Sequence, residues 1–94
     1  MPDAERLCFE ASRVLTQFER WQKVERAGAP QPPWVQELLR RAAGLLREAL
    51  AIDPEHARAH LVLGWTLDKL GDLDGAISAN RAAVAADPQD AQAH

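Results

Sequence analysis

Apolar residues recur along this chain at intervals of three and four, with polar residues between them, which is the period of amphipathic helices rather than strands. Leu7, Ala11, Val14, Leu15, Phe18 and Trp21 form the first stripe, with Glu10, Arg13, Gln17, Glu19 and Arg20 on the opposite side. This pattern predicts a surface helix over 3–27, capped by Asp3 and stopped by Gly28. Residues 28–33 (GAPQPP) are the clear break, because three prolines without amide donors cannot continue a helix. A second helix follows over 34–52, with Pro33 suited to its first position and a wide apolar face of Val35, Leu38, Leu39, Ala42, Leu45, Leu46, Ala49 and Leu50. Asp53 and Pro54 are expected to cap and begin a third helix over 54–70, closed by Gly71, and a fourth helix covers 73–86. Asp87 and Pro88 announce one more start within 87–94.

The second half of the chain says the same phrase twice. Arg47–His60 reads REALAIDPEHARAH and Arg81–His94 reads RAAVAADPQDAQAH, identical at eight of fourteen positions with an offset of 34. That period is the length of one helix–turn–helix unit of a solenoid. With Ala57 as the first position, Leu63, Gly64, Leu67, Ala76, Ala83 and Pro88 fall at positions 7, 8, 11, 20, 27 and 32. The spacing resembles the tetratricopeptide repeat. Small residues stand where the two helices of a hairpin must approach, and large ones beside them. Asn80 and His60 depart from the family, which commonly carries a large apolar residue and a Trp there. Ala42, Ala49 and Pro54 match positions 20, 27 and 32 of a preceding unit, so the first two helices read as a degenerate repeat with a lengthened loop. The resemblance implies one all-α domain, a right-handed superhelix of two stacked hairpins.

Composition narrows the function. A net charge of −3 with interspersed signs argues against a nucleic-acid partner, which would demand a basic face. The acidic N-terminus has no signal-peptide pattern, no apolar run reaches membrane-spanning length, and one cysteine closes no intrachain disulfide. These features suggest a cytoplasmic protein without a membrane partner.

Candidate chemistry is sparse. His56 and His60 stand at metal-like i, i+4 spacing, but zinc needs at least a third ligand that no motif supplies, so packing and polar first-turn roles fit them better. Cys8 beside the first apolar stripe reads as a small buried hydrophobe. Nucleophile triads, phosphate loops and paired-acid motifs are not recognisable, and no cofactor or catalytic activity is expected.

A recognition surface remains. In the family resembled, the first helix of each hairpin lines a concave groove, which implies Arg58, Leu61, Trp65, Asp68 and Lys69 as partner-facing residues. Trp65 suits either a partner anchor or an inter-repeat packing role. Aligning Ser12 with Gly64 adds Arg6, Phe9, Arg13, Thr16 and Gln17 from the first helix. Arg6, Arg13, Arg58 and Lys69 against Asp68 would give that groove a basic excess, suited to an apolar peptide with some acidic character. The Lys and Asn clamp with which some members hold a chaperone's C-terminal carboxylate is replaced by Leu61 and Trp65, and by Phe9 and Arg13. The expected function is therefore protein–protein recognition by a scaffold or adaptor. The alternative is self-assembly as a homodimer or larger homo-oligomer: a helical stack needs a cap on its last apolar surface, and an uncapped fourth helix could pack its Ala76, Ala79, Ala83, Ala86 face on another copy. A cut from a longer array would explain the same exposed end.

Overall fold

The computed structural model describes residues 3–25 and 32–86, which form four helices and no strand. The expected Gly28 stop, the start of the Pro-rich loop and the repeat start at Asp87–His94 lie outside the described residues. Helix α1 (Ala4–Glu25) and helix α2 (Pro33–Ile52) make one antiparallel hairpin; α3 (Ala57–Leu70) and α4 (Leu73–Ala86) make the second. The α3 helix is the centre, packed against α1, α2 and α4.

Local chemistry sets each helix end. Asp3 Oδ1 accepts the Arg6 amide at 2.7 Å, satisfying one donor of the first turn of α1. Pro32 is extended, with φ −69° and ψ 155°, and Pro33 begins α2, where a missing N–H costs nothing. At the end of α3, Gly71 adopts φ 89°, and the amides of Gly71 and Asp72 donate to the carbonyls of Asp68 and Leu67 at 3.1 and 2.9 Å. This paired closure turns the chain by the left-handed conformation that glycine tolerates best. Asp72 then caps α4, its Oδ1 accepting the Gly75 amide at 3.0 Å.

The start of α3 differs from the expectation that Pro54 begins it. Asp53 Oδ1 accepts the Glu55 amide at 3.2 Å, and its carbonyl accepts the His56 amide at 3.1 Å, so its capping capacity closes a separate turn. His56 is extended at φ −74° and ψ 97°, and its Nδ1 accepts the Ala59 amide at 3.1 Å. The cap is the histidine, and the helix begins three residues later than Pro54.

The core is one continuous cluster drawn from all four helices. Phe18, Val35, Leu39, Leu46 and Thr66 are its largest fully buried side chains. The Thr66 hydroxyl donates to the Val62 carbonyl at 2.8 Å, so the one buried polar residue among the described residues keeps a partner. Ala42, Ala49, Ala59 and Ala83 are fully enclosed, and their small side chains let helix backbones approach. A Cβ on Gly64 would meet the Ala76 carbonyl oxygen at 3.3 Å and press on the Asn80 side chain, so the α3–α4 crossing depends on that glycine. One expectation is corrected here: Ala76, Ala79 and Ala83 are buried within the chain's own core, so the Ala-rich face of α4 is spent on α3 and is not free for another copy.

Two glycines predict opposite signs in urea denaturation. Gly71→Ala should lower stability by about 1–2 kcal/mol, because alanine is strained at positive φ. Gly44, inside α2 with nothing within 4 Å of an added Cβ, should accept alanine with a gain of about 0.5–1 kcal/mol.

Candidate partner-binding groove

The groove lies over α3, between α1 and α4, and encloses about 800 Å³. Leu61, Val62, Gly64 and Trp65 form its floor. Ser12, Leu15 and Thr16 make the α1 wall, and Leu73, Ala76, Ile77 and Asn80 the α4 wall. Three charged residues line it: Glu19, Arg58 and Asp68.

Trp65 is held in place from two sides. Its ring meets Phe18 edge-on, with centroids 5.7 Å apart at 81°, and Lys69 Nζ sits 5.4 Å from its centroid. It remains partly exposed, so it packs on α1 and lines the groove at once. Phe18 in turn touches Trp21 at 6.0 Å, and Trp21 meets Trp34 edge-on at 6.4 Å. This aromatic chain joins α2, α1 and α3 and so positions the α1 wall over the α3 floor.

Among the residues singled out from the sequence, Arg58, Leu61, Trp65 and Asp68 line the groove together. Lys69 stands beside it, over the Trp65 ring. Phe9 and Arg13 lie outside its lining and are exposed, Phe9 at 64%. Arg6 and Gln17 are likewise exposed and outside it, and Thr16 alone of the expected α1 set is in place. The α1 face that meets the groove, through Ser12, Leu15, Thr16 and Glu19, is rotated by roughly a quarter turn from the expected one at 100° per residue. Burial of the whole stripe Leu7, Cys8, Ala11, Leu15 and Phe18, with Phe18 against Trp21 and Trp65, fixes the rotation of α1 about its axis. The expected basic excess is absent, since Glu19 and Asp68 face a single Arg58.

The α4 wall was not foreseen. Leu73, Ile77 and Val84 recur at helical spacing on a different side of α4 from Ala76, Ala79 and Ala83, a second stripe that the repeat of small residues obscures.

The histidines have local roles: His56 caps α3, and His60 Nε2 lies 2.8 Å from the Pro54 carbonyl oxygen across the same turn. Cys8 is buried, and burial pushes its thiol pKa up; Arg58 nearby offsets part of the rise and Glu5 adds to it. No helix among the described residues is long and apolar enough to cross a membrane.

A family model for the tetratricopeptide repeat matches residues 34–91, more than half of the chain, and covers α2, α3 and α4. The chain belongs to the tetratricopeptide repeat family. No curated protein and no solved structure matches it. Tetratricopeptide repeat domains generally mediate protein–protein interaction, and the four helices of the described residues, with no strand among them, form two tetratricopeptide-like hairpins. The match begins at Trp34, so α1, which builds one groove wall, lies outside it.

The Cys8 thiol should resist a thiol-specific disulfide reagent at pH 8 in the folded domain and react at least about tenfold faster in denaturant. Because its folded pKa is raised, the stability it contributes is complete below the unfolded thiol pKa and is lost as pH rises toward the folded value. Denaturation midpoints of the wild type and Cys8→Ala should therefore converge above about pH 9, measured by circular dichroism.

Proposed function

We propose that this tetratricopeptide repeat domain captures a segment of a partner protein in the groove between α1 and α4, with Trp65 and Leu61 as anchors. The observation that carries the proposal is the groove itself: about 800 Å³, walled by α1 and α4 and floored by α3, whose Trp65 ring is part-buried yet accessible. Concave, mostly apolar surfaces with a few placed polar groups are the usual form of recognition sites.

The lining chemistry describes the partner. Leu15, Leu61, Val62, Trp65, Leu73 and Ile77 favour apolar side chains spaced along one face of a helix or on alternate residues of an extended segment. Glu19 and Asp68 with Arg58 offer mixed charge, so the partner needs no strong acidic character, and the charges orient it more than they attract it. Ser12, Thr16 and Asn80 supply hydrogen-bonding groups at the walls. No bond is made or broken in this scheme; the domain acts as a scaffold or adaptor.

A displayed library of apolar peptides, selected on the immobilised domain, tests the proposal. Trp65→Ala should weaken selected peptides at least about tenfold, as loss of a central aromatic anchor does, with helicity checked by circular dichroism. Arg58→Glu, an exposed change that leaves the core intact, should alter which charged peptides are selected. Phe9→Ala, outside the groove, should leave affinity within about twofold. Equal binding by wild type, Trp65→Ala and Arg58→Glu would remove the groove as the working surface.

A further inference from the structure

The offset of 34 residues that relates the two halves of the sequence also relates α2 to α4, and the structure shows what the sequence could not. Ala42 and Ala49 in α2 correspond to Ala76 and Ala83 in α4, and all four are buried, so the two helices sit alike in their hairpins. The neighbouring stripe behaves differently. In α2 it is Leu39, Ala43, Leu46 and Leu50, of which the first three are at most 2% exposed. In α4 it is Leu73, Ile77, Asn80 and Val84, with Leu73, Ile77 and Val84 exposed by 60%, 50% and 48%. The α2 stripe is covered because α2 packs on both α1 and α3, whereas α4 packs on α3 alone among the described residues. An interface position of the first hairpin is thus repeated in the second without its cover among the described residues.

We infer that α4 is a self-association helix, and that its occupant is the α4 of a second copy of this chain in antiparallel orientation. Charge placement selects this occupant. Asp74 lies in the first turn of α4 and Arg81 seven residues later, so both project along the same flank of the stripe. Both are exposed. A two-fold axis near the middle of α4 sets Leu73 of one copy by Val84 of the other and brings Ile77 and Asn80 of the two copies together. The same axis places Asp74 beside Arg81 of the second copy, twice. A parallel two-fold pair would instead carry that flank of the two copies to opposite sides of the seam, leaving Asp74 and Arg81 without a charged partner across it. The face is therefore complementary to itself in one direction only, as an isologous interface requires. Exposed charge pairs add little energy, so the apolar stripe supplies affinity and the charges supply direction. A four-turn helix pair is a small interface, which sets the association at micromolar or weaker, on the order of 1–100 µM.

This inference stands apart from partner capture, although Leu73, Ile77 and Asn80 belong to both surfaces. Arg58 is exposed and belongs to the groove but not to the α4 stripe, so Arg58→Glu leaves self-association unchanged.

Sedimentation velocity over roughly 1–500 µM reads the equilibrium directly. The wild type should pass from monomer to dimer, and Ile77→Lys, at a half-exposed site that leaves the fold intact, should remain monomeric with unchanged helicity. Asp74→Lys and Arg81→Glu should each weaken the dimer about tenfold or more, because each turns two attractive contacts into two repulsive ones. Mixing the two single variants in equal amounts should restore dimer close to the wild-type level, since every contact across the mixed pair again joins opposite charges. A wild type that stays monomeric to the highest concentration overturns the inference, as does a dimer indifferent to Ile77→Lys. A mixture no stronger than its components overturns the antiparallel arrangement.

Discussion

The edge-on contact between Phe18 and Trp65 is the interaction on which the rest of the structure depends. Phe18 is almost wholly buried, and through it α1 is keyed to α3, while Trp21 and Trp34 extend the same aromatic chain into α2. Aromatic rings in this geometry carry large buried areas and a preferred angle, so they fix rotation about the helix axis as well as distance. Once α1 is fixed, the first hairpin presents a cradle to α3, and α4 can add from the other side through Gly64, Ala76 and Ala83. The groove follows as the space left over α3 between two helices that do not meet.

This arrangement separates the jobs of large and small residues. Alanines and Gly64 bring backbones close along the hairpin crossings, where a single added carbon would meet a carbonyl or a neighbouring side chain. Large side chains are then free to set the angle between hairpins or to line the groove. Trp65 does both, which is why its position could not be assigned to core or surface from the chain alone. The helix ends are satisfied locally: Asp3, His56 and Asp72 each accept an amide of a first turn, and the turn at Gly71 closes α3 through two carbonyls.

The two sides of α4 differ in what covers them. Its alanine side belongs to the fold, and its Leu73, Ile77, Val84 side belongs to whatever lies beyond it. Because that second side also forms a groove wall, the inferred second copy and the proposed captured segment would meet at Leu73 and Ile77. Competition between them would make self-association a way of setting how much groove is open at a given concentration.

The helical period, the 34-residue repeat and the placement of Gly64, Ala76 and Ala83 were legible in the chain, because periodicity and the demand for small residues at a crossing are local rules. So were the groove positions on α3, where the repeat is regular: Arg58, Leu61, Trp65 and Asp68. The tertiary structure alone decided the rest. The apolar stripe of α1 that holds Phe18 was legible, but which flank of that stripe meets the groove depends on how α1 sits against α3, and the packing moved the groove wall from Phe9 and Arg13 to Ser12, Leu15 and Glu19. The start of α3 came from a competition that sequence rules leave open, in which the Asp53 side chain closes a turn and hands the cap to His56. Which stripe of α4 is exposed depends on which helices reach it, and reach is a property of packing that no single helix carries in its own residues.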